Sequence, residues 1–226
     1  KSGAFKFRGA CNALLQLSPE QRQQGVVTVS SGNHGAALAA AGQMLGVKVT
    51  VGVASNASPF KRANMQRYGA NIIPLEPGMP AREAFVAEQQ ANDAIVIPPY
   101  DHTDIIAGQG TAALELFEEY PHLWGVMAPL GGGGLLSGSC LVAEHYHAFC
   151  YGIEPELASD GKESLQRGEI QPAMPPTSIC DGLLTSLGTH TFAIIKEQVT
   201  DILLVTDEEA AAAQELVDET TAMWVE

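Results

Sequence analysis

Residues 125–146 read Gly-Val-Met-Ala-Pro-Leu, then Gly131-Gly132-Gly133-Gly134, then Leu-Leu-Ser-Gly-Ser-Cys-Leu-Val-Ala-Glu-His-Tyr. The first six residues have the length and apolar character of a short buried strand, and the last twelve suit a helix. Four glycines alone describe a flexible connection. Between a strand and a helix they describe a tight turn. A helix N-terminus reached through such a turn offers unpaired backbone N–H groups and the positive end of the peptide dipoles to an anion. Glycine is required there because the backbone must approach the anion closely and adopt positive φ. The run is read as a phosphate loop inside a strand–turn–helix unit.

The same arrangement occurs earlier. Val26-Val27-Thr28-Val29 is a β-branched strand, Ser30-Ser31-Gly32-Asn33-His34-Gly35 a turn, and the alanine-rich stretch 36–45 a helix. This second turn adds hydroxyl, amide and imidazole groups to the free N–H groups, which suits a carboxylate and a hydroxyl. Helix capping by Ser31 or Asn33 is the plainer alternative. Further short apolar strands are predicted at 47–53, 70–75, 94–98 and 149–153. Helices are predicted near 58–68, 80–91 and 107–119. Such alternation gives parallel sheets covered by helices, an α/β fold. Prolines at 74, 77, 80, 98 and 99 punctuate the first half, and a domain boundary is expected after about residue 100.

Near the start, Gly3-Ala4-Phe5-Lys6-Phe7-Arg8-Gly9-Ala10 sets one lysine between two aromatic rings. Such a lysine is ordinarily a solvated surface group. In an apolar setting its ammonium form is disfavoured, and the neutral amine can form a Schiff base. Taken with the glycine loop, Lys6 points to an aldehyde-bearing phosphorylated cofactor.

A formal net charge of −14 argues against nucleic acid or an anionic membrane as a partner. No apolar run is long enough to span a bilayer. Cys11, Cys140, Cys150 and Cys180 are scattered without metal-type spacing, so reduced thiols in a cytoplasmic setting are expected.

The three motifs, in this order, resemble the fold-type II enzymes that use pyridoxal phosphate, which share the tryptophan synthase β-like architecture. Within them the chain is most similar to the serine/threonine dehydratase and serine racemase branch. Ile106-Ala107-Gly108-Gln109-Gly110-Thr111, Gly152-Ile153-Glu154-Pro155 and Cys180-Asp181-Gly182-Leu183 extend the resemblance along the whole chain. It implies a small mobile domain at 25–102 and a large cofactor domain made of 1–24 and 103–226. The family pattern also has segments before Lys1 and after Glu226, so a fragment lacking both ends is expected. A homodimer is the usual assembly of such enzymes.

The resemblance also implies roles. Lys6 holds the cofactor and carries the substrate's Cα proton, and Phe5 packs on the cofactor ring. Asn33 binds the 3′-hydroxyl. Ser30, Ser31, Gly32, Asn33 and His34 grip the carboxylate of a small amino-acid substrate. Gly131, Gly132, Gly133 and Gly134, with the N–H of Leu135, hold the phosphate, and Gly182 lies near the ring. Ser31 is the serine of the racemase-like sub-branch, a second acid/base opposite Lys6. Glu154, Ala158 and Asp160 match that sub-branch's Mg²⁺ or Ca²⁺ ligands, and oxygen ligands suit these cations; a solvated acidic loop is the alternative. The implied activity is an ammonia-lyase converting L-threonine or L-serine to a 2-oxo acid and ammonia. Alternatives are a serine racemase or hydroxyaspartate-type dehydratase, and a non-catalytic fragment that only binds cofactor or amino acid.

Overall fold

A computed structural model describes residues 3–225. Lys1, Ser2 and Glu226, the outer ends of the expected domain ranges, lie outside the described residues. The chain forms two compact units, Lys1–Gln109 and Gly110–Glu226.

The first unit opens with α1 (Lys6–Leu15) and α2 (Pro19–Gln24). A reciprocal Ser18–Gln21 capping box, with Pro19 in the first turn, starts α2. Next come β1 (Val26–Val29), α3 (Asn33–Leu45), β2 (Val49–Ala54), α4 (Pro59–Arg67), β3 (Asn71–Leu75), α5 (Met79–Ala91) and β4 (Ile95–Val96). The four strands form a parallel sheet in the order β3-β2-β1-β4. Its core joins Ala10, Ala13 and Leu14 of α1, Ala37, Leu38 and Ala41 of α3, and Val49, Val51 and Val53 of β2. Small side chains let α3 sink into this core, and His34 through Gly42 are all buried. A Cβ on Gly42 would collide with Cγ2 of Val49, so glycine is what lets α3 lie this close to β2.

The predicted strand 94–98 is cut to two residues. Pro98 and Pro99 follow, and neither has an N–H to extend a ladder. Helix α6 (Thr103–Glu119) starts four residues before its predicted position at 107. The N–H of Asp104 donates to Nδ1 of His102 at 3.2 Å, a side-chain partner for a helix-start amide that the apolar pattern does not display.

The second unit contains β5 (Gly125–Pro129), α7 (Gly134–His145), β6 (Phe149–Pro155), α8 (Asp160–Arg167), α9 (Thr189–Gln198), β7 (Asp201–Val205) and α10 (Asp207–Thr221). Its sheet is parallel, in the order β5-β6-β7. Phe117, Ala128, Leu130, Leu136, Cys140, Cys150, Ile195 and Ile202 form its core. All four cysteines are free thiols, and Cys140 and Cys150 are buried together, with the Cys140 thiol pushed up by its hydrogen bond with the Cys150 thiol and by burial. No helix among the described residues is long and apolar enough to cross a membrane.

Candidate active site

In the first unit, Lys6 is the first residue of α1, and Phe5 precedes it at the N-cap. Nζ of Lys6 donates to the carbonyl of Pro99 at 2.8 Å and stands 5.3 Å from the centroid of the Phe5 ring. Burial lowers the Lys6 pKa from 10.5 to about 8. Burial thus disfavours the ammonium form of this half-buried lysine relative to a solvated one.

The Ser30–Gly35 turn joins β1 to α3. Ser30 extends the strand pairing through its N–H, which donates to Gly52 at 3.1 Å, and its hydroxyl accepts the N–H of Gly32 at 3.3 Å. Ser31 accepts the N–H of Ala54 at 3.3 Å, which ties it to the end of β2. The cap position falls on Gly32, and no side chain caps α3. Ser31 is therefore a loop residue and does not serve as a helix cap. The ring of His34 is turned inward. It is only 2% exposed, and its Nε2 lies 3.1 Å from the carbonyl of Ile97. Burial, then the nearby charge of Lys6, hold its pKa down to about 3 against a smaller opposing effect of that carbonyl. The His34 group left for an anion is its backbone N–H.

In the second unit the glycine run is a strand-to-helix turn. Leu130 donates to Ile153 at 2.8 Å, Gly131 to Gly133 form the bend, and α7 begins at Gly134. Gly133 has φ +86, and a Cβ there would meet Leu187, Thr191 and Ile195 at 2.7, 2.9 and 3.0 Å. A Cβ on Gly131 would stand 2.8 Å from Cα of Leu183. The Gly182 segment and the glycine loop are therefore side by side. The first amides of α7, that of Leu135 among them, lack partners within the helix by geometry.

Two residues that the sequence reading passed over hold this arrangement. The Thr191 hydroxyl, at 0% exposure, donates to the carbonyl of Gly132 at 2.9 Å and accepts the N–H of Gly188 at 2.9 Å. Asp207, at the start of α10, accepts the Ser178 hydroxyl at 2.6 Å and the N–H of Ile179 at 3.0 Å. It thereby anchors the strand of chain that leads into Asp181–Leu183. The Thr206–Glu209 capping box that begins α10 was legible and would have placed Asp207 at a helix start, though not its partners.

Glu154 and Asp160 are both 2% exposed. The Glu154 carboxylate accepts the N–H groups of Gly161 at 2.8 Å and Lys162 at 2.9 Å, capping α8. Burial raises its pKa to about 7, helped by the Asp160 charge, and burial also raises Asp160. Ala158 lies in the short turn between them. The acidic loop is thus not a solvated face. Among the described residues, no three His, Cys, Asp or Glu side chains come together as a metal group.

A parallel α/β fold, a lysine of lowered pKa at a helix start and a glycine cradle on another helix N-terminus define a fold-type II enzyme. The chain belongs to the pyridoxal-phosphate dependent enzyme family, which it matches over residues 1–226. It is 47% identical over 213 residues to a serine racemase of Schizosaccharomyces pombe, covering 92% of this chain and 66% of that protein. It is 45% identical to an L-threo-3-hydroxyaspartate ammonia-lyase of Saccharomyces cerevisiae, covering 99% of this chain and 70% of the relative. The crystal structure of serine racemase from Dictyostelium discoideum superposes with a TM-score of 0.93 at 41% identity, covering 99% of this chain and 73% of that one. The chain thus spans about two thirds of the length of the curated relatives it matches.

The residues present fit the family's cofactor, unit by unit. Gly131 and Gly133 leave a cradle that any Cβ would fill, beside the amides of α7, and Lys6 offers an amine whose pKa burial has lowered.

Proposed function

We propose that the protein acts at Cα of a small β-hydroxy L-amino acid, eliminating the hydroxyl to give a 2-oxo acid and ammonia, and racemising part of the substrate it binds. L-Serine and hydroxyaspartate-type substrates stand ahead of L-threonine, because the similar relatives named above are a serine racemase and a hydroxyaspartate ammonia-lyase. Pyridoxal phosphate supplies the electron sink that makes the Cα proton acidic. The amine of Lys6 holds the cofactor and moves that proton at Nζ. Phe5 packs on the ring, and Asn33 bonds the 3′-hydroxyl. Ser30 to His34 grip the substrate carboxylate, chiefly through backbone N–H groups. Gly131 to Gly134 and the N–H of Leu135 hold the phosphate, with Gly182 beside the ring. The domains are proposed as 25–102, small and mobile, and 1–24 with 103–226, large. A homodimer in the cytoplasm is the proposed assembly and location.

Ser31 carries the reading. Racemisation needs a proton delivered on the face opposite Lys6, whereas elimination does not. The Ser31 hydroxyl accepts the N–H of Ala54, and among the described residues its own proton has no acceptor, which leaves it to be given to a substrate. In Ser31→Ala, racemisation of L-serine is expected to fall at least 100-fold, with elimination within about tenfold of the parent. Following D-serine and pyruvate in one reaction checks this. Equal loss of both products would remove the two-face assignment.

A divalent cation, Mg²⁺ or Ca²⁺, is proposed at Glu154, the carbonyl of Ala158 and Asp160. Two buried carboxyls with raised pKa values, one of them lifted in part by the other, are a donor set that a hard cation would relieve. Millimolar Mg²⁺ or Ca²⁺ should raise the melting temperature of the parent and not that of Asp160→Asn. No rise, or an equal rise in both, counts against the site.

A further inference from the structure

The segment after β4 runs Ile97-Pro98-Pro99. Neither proline has an N–H, so this strap takes hydrogen bonds and gives almost none. Two of its carbonyls, two residues apart, are met by side chains from two different helices. Lys6 of α1 donates to Pro99 at 2.8 Å, and Nε2 of His34 on α3 lies 3.1 Å from the Ile97 oxygen. A carbonyl only accepts, so the His34 ring carries its proton on Nε2, and Nδ1 is the bare lone pair. Nδ1 is buried and has no partner among the described residues. A buried acceptor left unpaired is destabilising, so a core histidine kept only for packing would be better replaced by leucine. This ring is held in place for the bond at its other nitrogen.

We propose that His34 is a positioning residue: its Nε2–H fastens the Pro98–Pro99 strap, and the fastened strap is the dry wall against which the Lys6 amine docks. The proposal rests on the reading of Lys6 as the reactive amine, and it adds a role for the ring that the carboxylate grip does not use. Without the His34 bond the strap loses its one side-chain tether at Ile97, water reaches the Lys6 pocket, and the amine returns towards an ordinary solvated ammonium. The Lys6 charge adds to burial in holding the His34 ring neutral, so the ring acts on the strap as a neutral donor.

The test uses no pyridoxal phosphate, so it stands apart from the cofactor assignment. The chain is treated briefly with formaldehyde and cyanoborohydride at pH 8, and methylation of Lys6 is compared by peptide mass mapping with that of the exposed Lys48. In His34→Leu the Lys6-to-Lys48 ratio should fall at least tenfold. His34→Gln, whose side-chain amide can donate to Ile97 in place of Nε2, should stay within about twofold of the parent. Pro98→Gly loosens the strap without touching the ring, and should lower the ratio as His34→Leu does. An unchanged ratio in folded His34→Leu overturns the proposal, as does an unchanged ratio in Pro98→Gly or a fall in His34→Gln equal to that in His34→Leu. A parent that labels as proposed but binds no pyridoxal phosphate leaves the strap intact and sinks the cofactor reading instead.

Discussion

Lys6→Ala is expected to lose the visible absorbance band that the parent chain develops with pyridoxal phosphate, and to lose at least 10³-fold in turnover. Two separate functions leave with one side chain. The amine that attaches the cofactor is gone, and so is the group that carries the Cα proton, a contribution of about 10²–10⁴ in its own right. The loss is chemical and not structural. Lys6 is at the start of α1, and its amine donates to the Pro99 carbonyl. Removing a half-buried cation relieves part of a desolvation penalty, so the melting temperature should hold within about a degree or two.

The pH dependence follows from the same burial. An ordinary lysine is mostly neutral only above 10.5, whereas Lys6 is lowered to about 8. Its folded pKa is depressed, so the neutral amine is the form the folded chain prefers. Attachment of cofactor should therefore increase as pH rises through about 8, two to three units earlier than for an exposed lysine. Borohydride reduction at a series of pH values, with mapping of the labelled peptide, reads this directly. A label on any other lysine, or a midpoint near 10.5, would show that Lys6 is not the cofactor lysine.

The elements legible in the sequence are those whose local pattern and tertiary setting agree. Val26–Val29, the alanine-rich α3 and the 125–146 unit lie within a few residues of their predicted bounds. Lys6, Ser31 and the glycine loop could be singled out because their chemistry is carried by residue type and neighbours along the chain. Thr191 and Asp207 could not. Thr191 acts on Gly132, 59 residues away, and Asp207 on Ser178, 29 residues away, and a lone threonine or aspartate displays nothing of such a partner. The ring of His34 is packed, as a lone loop histidine ordinarily is, but its partner could not be foreseen for the same reason: the first turn of α3 carries the side chain inward to Ile97, 63 residues away. Beyond residue 155 no strand or helix was predicted, although signals were present. Asp201–Val205 is a short apolar strand, and Thr206 with Glu209 is a capping box directly behind it.

Gly133→Ala should cost about 2–4 kcal/mol of stability and most of the affinity for cofactor, the larger structural effect of any substitution considered. Two penalties combine. The backbone stands at φ +86, where a Cβ meets the following carbonyl at a cost of about 1–2 kcal/mol. The added methyl also points into packed atoms of Leu187, Thr191 and Ile195 at 2.7–3.0 Å, and overpacking of this kind costs about 1–3 kcal/mol. The atoms it meets belong to the chain that fixes the loop, since Thr191 is the residue that holds Gly132 by its hydroxyl. Relief by pushing Thr191 away would release the loop, and relief by shifting the loop would turn the α7 amides from the phosphate. Either path weakens the anion site, by an expected tenfold or more in pyridoxal phosphate binding. Gly182→Ala is the contrasting case. No atom lies within 4 Å of a Cβ there, so the fold should be unaffected, within about 0.5 kcal/mol. If the cofactor ring rests beside Gly182 as proposed, that methyl would collide with the ring alone. The two alanines thus separate the cradle from its occupant: thermal melts should report Gly133→Ala, and cofactor titration should report both. A Gly182→Ala chain that binds pyridoxal phosphate as tightly as the parent would place the ring elsewhere. A Gly133→Ala chain that melts with the parent would mean that the loop yields freely, and the glycine run would return to being a flexible connection.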